Sequence, residues 1–260
     1  MSDVFFEILS PFPLNRHQDA QKLFQLWAEN AFHFLPNRWG LYEPLRHHFS
    51  MSSLDEAIRT WEFMFLVKRT VPPKLEASIF MQDGPHRDHS TWTISLKSVK
   101  EFDQPAFCRL LESSAAAFSA DFGLIHTITE TEVPRGRAHG SIGIVDAAKG
   151  DMHLYIATRM LIKCLPDIYW TTLFGRPYVE LFSRERLLSC PAHRIKELDN
   201  GSIVIQLTPE LKDVEAEEAA FERVRHDARN HLNNDAIFDL AKGLDHQYRV
   251  PEFTWGPILH

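Results

Sequence analysis

LEASIFMQDGPHRDHSTWTISLK, residues 75–97, sets two runs rich in apolar, β-branched and aromatic residues on either side of a polar stretch. Runs at 75–81 and 91–97 joined by QDGPHRDHS predict a β-hairpin with a long polar loop. A helix is expected next, over 105–120, from the periodicity of PAFCRLLESSAAAFSA. The same plan recurs downstream. Runs at 193–198 and 202–208 flank Asp199-Asn200-Gly201, a strong tight-turn signal, and a long charged helix follows to about residue 233. The two units are not similar in sequence, so they share a plan and are no repeat. Antiparallel hairpins alternating with helices predict an α+β fold: a mixed, largely antiparallel sheet with helices packed on one face.

Working outward, VFFEILSPF at 4–12 reads as a strand, and Asn15 is placed to cap a helix reaching about residue 35. Ser53 and Glu56 have capping-box spacing, opening an apolar helix through Ile58, Trp61, Met64 and Phe65 that Pro72-Pro73 ends. Residues 124–132 alternate as a half-exposed strand should. PRGRAHGSIGIVDAAKGD, at 134–151, holds four of the 11 glycines and reads as a long loop, and 152–165 reads as a helix. The chain is thus one α+β domain over 1–260, or two packed halves divided near 134–150.

The 260 residues are 44% hydrophobic and 24% charged, an ordinary globular balance. No apolar run approaches the roughly 20 residues of a bilayer span. The opening MSDVFFEILSPFPLNR has no basic segment followed by a long apolar one, as a signal peptide would. Cys108, Cys164 and Cys190 are odd in number and widely spaced, which suits reduced thiols in the cytoplasm. A formal charge of −7 without a Lys/Arg cluster argues against direct nucleic-acid binding. It suits solubility, or recognition of a basic protein. No membrane association and no cofactor are expected.

Chemistry-bearing clusters are few. His86, Asp88 and His89 could offer imidazole and carboxylate ligands to a metal from one loop, as in a metal-dependent hydrolase. No HExxH and no second ligand group at a recognisable spacing accompany them. His139-Gly140-Ser141-Ile142-Gly143 misses the G-x-S-x-G spacing of a nucleophile elbow, and 136–143 misses the phosphate-loop spacings. Cys190 and His193 are near only in sequence. No catalytic residue is assigned, and the chain reads as a protein other than an enzyme.

VEAEEAAFERVRHDARNHL, at 214–232, carries acids early and bases late, which complements the helix macrodipole. Val214, Phe221, Val224, Ala228 and Leu232 mark its buried stripe. That accounts for the pattern structurally. In the functional reading Glu215, Glu217 and Glu218 join Asp199, Glu210 and Asp213 on a negative face that meets a basic partner.

YWTTLFGRPYVELFSRERLL, at 169–188, crowds aromatics around a Gly-Arg-Pro corner. Tyr169, Trp170 and Phe174 are expected in the core, with their polar atoms bonded, Gly175 in a turn conformation and Pro177 starting a helix. Tyr178 and Glu180 are candidate partner contacts. Tyr169, Trp170, Thr171, Thr172, Phe174, Gly175, Pro177, Tyr178, Glu180 and 184–188, followed by Gln206-Leu207-Thr208, resemble the Immunity protein 52 family of polymorphic-toxin and type VI secretion systems. The resemblance covers the last hundred residues. It implies a stoichiometric inhibitor of a cognate toxin, such as a nuclease of the restriction-endonuclease-like class, and it supplies no contact residues.

Overall fold

A computed structural model describes residues 3–14, 16–81, 88–146 and 151–255. In chain order its strands are β1 (Val4–Ser10), β2 (Arg38–Gly40), β3 (His47–His48), β4 (Met64–Arg69), β5 (Leu75–Phe80), β6 (Ser90–Leu96), β7 (Phe122–Thr127), β8 (Ile142–Asp146), β9 (Asp151–Leu154), β10 (Thr171–Phe174), β11 (Arg194–Glu197) and β12 (Ile203–Gln206). The α-helices are α1 (His17–Ala31), α2 (Leu54–Arg59), α3 (Gln104–Ala117), α4 (Val133–His139), α5 (Thr158–Leu161), α6 (Arg176–Phe182), α7 (Arg184–Leu188), α8 (Asp213–Ala216) and α9 (Glu218–Leu232).

Ten strands form one antiparallel sheet in the order β11-β12-β10-β7-β1-β6-β5-β4-β2-β3, and β8 pairs with β9 alone. The α+β expectation holds, and so do both hairpins. β5 pairs β6 from Leu75↔Leu96 to Phe80↔Thr91, and β11 pairs β12 around Gly201 at φ +81°, a left-handed value that glycine adopts freely. Central β1 is buried along its whole length between β6 and β7, as its near-unbroken apolar run requires.

Strand alternation sorts the core into two faces. Phe6 and Ile8 face α1 and α3, where Phe6 meets Phe107 and Trp27 meets Trp92 at 5.4 Å between ring centroids. A Cβ on Gly123 would sit 3.1 Å from Leu111 of α3, so the missing side chain lets that helix lie close. Phe5, Glu7 and Leu9 face the other way. Around β7 and β10 this second face is covered by α6 and α9, with Tyr178 against Phe122 and Phe221 stacked on His126. Helices therefore reach both faces of the sheet. Beside β4, β5 and β6 the second face stays open: Glu76 and Phe80 are exposed and Ser78 and Thr93 half-buried.

Several local expectations change. The helix expected through Phe65 ends at Arg59, and 64–69 is a strand, because pairing with β2 and β5 outweighs the helical period. Ser50, with Ser53 reciprocating, makes the capping box in place of Ser53 and Glu56. Asn15 lies outside the described residues. The strand expected at 124–132 stops at Thr127. The expected loop at 134–150 contains α4 and β8. Residues 152–165 hold β9 and the single turn of α5 in place of a helix, since Met152 and Leu154 pair with Ile144 and Ile142. The charged helix breaks at Glu217, whose φ −128° and ψ 42° are not helical.

Candidate functional site

The aromatic corner is core. Tyr169, Trp170, Phe174 and Tyr178 are all buried, and Trp170 Nε1 donates to the Thr208 carbonyl at 3.1 Å. Tyr178 packs on Phe122, Phe174 and Phe182, which removes it from any surface that a partner could touch. Its Oη has no hydrogen-bond partner among the described residues. Gly175 is needed for space rather than for a turn. Its backbone is extended, but a Cβ there would lie 2.1 Å from the Ala120 carbonyl oxygen. Pro177 does start α6, and Glu180 lies exposed on it, 2.7 Å from Arg176.

A buried charge cluster pins α9 to the sheet. Arg225 is 1% exposed and donates to the carboxylates of Glu132 and Glu222, with Asp167 at 3.6 Å. His126 accepts the Trp170 N–H at Nδ1, so Nε2 carries the proton toward Glu132, 2.8 Å away. Glu132 also accepts from the backbone and hydroxyl of Thr129. Burial pushes the Glu132 carboxyl up, but His126 and Arg225 outweigh it and hold the group far below the carboxylate range. Arg225 was missed by counting it among the late bases of the charged segment. Its spacing with Phe221, Ala228 and Leu232 placed it on the apolar stripe, where an arginine needs buried acids. The adjoining cavity is about 10 Å3, too small for a ligand.

The acidic candidates do not form one face. Gln206 ends β12 beside Thr171, and Glu210, Asp213, Glu215, Glu217 and Glu218 follow at that end. Asp199 lies in the β11–β12 turn, at the opposite end beside Phe174, from which α6 and Glu180 continue. Strand direction thus splits the set. Glu210, Glu215 and Glu217 are exposed, Lys212 pairs with Glu210 at 3.0 Å, and Glu218 accepts from Thr131 Oγ1 at 2.5 Å.

Of the metal candidates, His86 lies outside the described residues and Asp88 is half-buried. His89 is buried with both ring nitrogens engaged: Nδ1 is 2.9 Å from Thr158 Oγ1 and Nε2 is 3.1 Å from Asp121. It ties β6 to α5 and β7. Among the described residues no group of three or more His, Cys, Asp or Glu side chains is placed to hold a metal ion. The three cysteines are free and buried, and burial pushes the Cys190 thiol up to about 12, far from a nucleophilic thiolate. Gly136 sits inside α4, where a Cβ would meet Ile142, and Gly140 ends that helix at a left-handed φ of +92°, so these two glycines serve packing and capping. His139 is buried there, and desolvation pushes its imidazole down to about 4.

The open part of the second sheet face holds a cavity of about 390 Å3. Glu7 reaches it from β1, Ser78 and Thr93 from β5 and β6, and His153, Tyr155 and Arg159 from the segment around α5. A larger groove of about 660 Å3 adjoins it through Ser78, Thr93 and His153. Sequence reasoning passed over Glu7. The signal was a lone carboxylate in VFFEILS, an otherwise apolar strand.

No protein-family model matches the chain, and no curated protein is significantly similar to it. The resemblance of 169–208 to the Immunity protein 52 family is therefore one of residues alone. In fold the chain is similar to a solved structure described as Pseudomonas aeruginosa T6SS protein PA0821. The match covers 93% of this chain and 86% of the other, at 11% identity and a TM-score of 0.51. Among the described residues no helix is long and apolar enough to cross a membrane.

Proposed function

We propose that the chain is a type VI secretion-associated protein of the immunity kind, which binds a cognate effector in the cytoplasm and neutralises it by stoichiometric contact, without catalysis of its own. The observation that carries this reading is the likeness in fold, over nearly the whole chain, to a T6SS protein. The exposed carboxylates of Glu210, Glu215 and Glu217 at one end of the sheet, on a chain of net charge −7, add to it. An effector that cuts nucleic acid needs a basic cleft, and an acidic surface can cover such a cleft and speed encounter with it. A nuclease of the restriction-endonuclease-like class is the effector proposed, and nucleic acid itself is no ligand. The hydrolase alternative at the 86–89 loop would need His89, whose ring nitrogens hold Thr158 and Asp121.

Co-expression with the product of the adjacent gene tests the reading. A one-to-one complex on size exclusion, with loss of the neighbour's toxicity, is the expected result. Undiminished toxicity and separate elution would overturn it.

A further inference from the structure

Folding accounts for only one of the two Glu7 carboxyl oxygens. It occupies a central strand between Phe5 and Leu9, opposite Thr93 on β6 and Leu124 on β7, where an apolar side chain would pack. The residue is 2% exposed. Its Oε2 accepts the Ile156 N–H at 2.8 Å, while Oε1 has no hydrogen-bond partner among the described residues. A carboxyl buried with half its capacity unused is expensive, and such groups are kept where something else completes them. This one lines the 390 Å3 cavity, a volume within the range of small-molecule sites, roughly 300–1,000 Å3.

The cavity's other groups narrow the chemistry. Ser78 and Thr93, their hydroxyls 2.6 Å apart, offer acceptor oxygens on the sheet side. Asp88 adds a second carboxylate to the lining. Among the described residues of the lining Arg159 is the one guanidinium, and it is exposed, donates to Tyr155 Oη and lies over the Tyr155 ring at 5.5 Å. His153 is held neutral by burial and then by Lys97. His89 is tied to Thr158 and Asp121. Once Glu7 is ionised an anion would meet two carboxylates, Glu7 and Asp88, whereas a cation would meet an unanswered carboxyl oxygen.

We infer that this cavity binds a cationic nitrogen, an alkylammonium or guanidinium group, whose N–H donors close on Glu7 Oε1. Burial holds the Glu7 carboxyl well above its ordinary value, hence protonated to higher pH than a free glutamate. An arriving cation favours the carboxylate, so binding releases that proton to solvent. The group can belong to a free amine or to a Lys or Arg side chain that a protein partner inserts. The cavity is separate from the acidic end at α8–α9, so this inference and the proposed function fail independently.

Isothermal titration of the full chain with spermidine, N-acetyl-arginine methylamide and the uncharged N-acetyl-citrulline methylamide tests it, in two buffers of different ionisation enthalpy. At least one cationic probe should saturate a single site with proton release, and the citrulline probe should bind about tenfold more weakly or worse. Glu7→Gln, which keeps an acceptor for Ile156, should lose a similar factor together with the buffer-dependent heat. Tighter binding of spermidine would identify a free amine, and tighter binding of the arginine probe an inserted side chain. Equal affinity for the citrulline probe, no saturable cation binding, or cation binding that survives Glu7→Gln unchanged would overturn the inference. The comparison of probes needs no variant at all.

Discussion

Glu7 and Glu132 are both buried carboxyls on the sheet's second face, and their surroundings drive them in opposite directions. Glu132 meets Arg225 and His126, so its folded pKa lies below the ordinary 4.5. The folded state then binds fewer protons than the unfolded one, and the stabilisation is present above about 4.5 and lost as pH falls through the acid range. His139, pushed down to about 4 by burial, acts in the same sense from its ordinary 6.5 downward. Glu7, raised by burial, is the reverse: it costs stability as pH rises above 4.5. Urea unfolding at several pH values should therefore separate the variants. Glu132→Gln should lose roughly 3 kcal/mol at neutral pH, because Arg225 is left with too little countercharge, and the deficit should shrink in acid. Glu7→Gln should be more stable than the native chain at neutral pH, an advantage that vanishes as pH approaches 4.5. A Glu7→Gln advantage that grew in acid would contradict this assignment. At the corner, Gly175→Ala drives a Cβ into the 120–121 backbone and should cost about 1–3 kcal/mol in the same assay, although the residue's φ suits alanine.

At the scale of elements, α8 and α9 keep the residues that pack them apart from the acids of the proposed partner surface. Val214, Phe221, Arg225, Ala228 and Leu232 hold them down, whereas Glu215 and Glu217 project to solvent and Glu218 is only half-buried. Replacing Glu215, Glu217 and Glu218 together with Lys should leave the circular-dichroism spectrum native, lower the melting point by only a few degrees through the reversed charge at the start of α9, and weaken effector binding at least tenfold. Unchanged affinity would remove these helices from the interface. Elements whose local signals agree with their tertiary setting were legible in the sequence. The Asp199-Asn200-Gly201 hairpin and α3, capped by Asp103 with Pro105 in its first turn, are examples. Those fixed by distant partners were not. Residues 64–69 and 151–154 carry no strand signal strong enough to beat a helical period until β2, β5 and β8 are beside them. The same holds at the site level. The exposed acids at 210–217 could be read, but their separation from Asp199 and Glu180 depends on the direction of β12, and the cavity at Glu7 exists only once β9 and α5 fold over β1.

For the whole molecule, the net charge of −7 is a statement about encounter more than about affinity. Carboxylates exposed at the α8–α9 end attract a basic cleft over about 10 Å at 0.1 M salt, a range that contracts to about 3 Å at 1 M. Contacts made after docking lie within that shorter distance and are screened far less. Rates measured by surface plasmon resonance should accordingly show association with the proposed effector slowing steeply as salt rises, while dissociation changes little. The triple lysine variant should associate slowly at low salt and lose most of the native salt dependence, because the charge that steers is the charge it reverses. If native and variant slopes were equal, the steering field would originate elsewhere on the surface, and Asp199 and Glu180 at the far end of β12 would be the next pair to reverse.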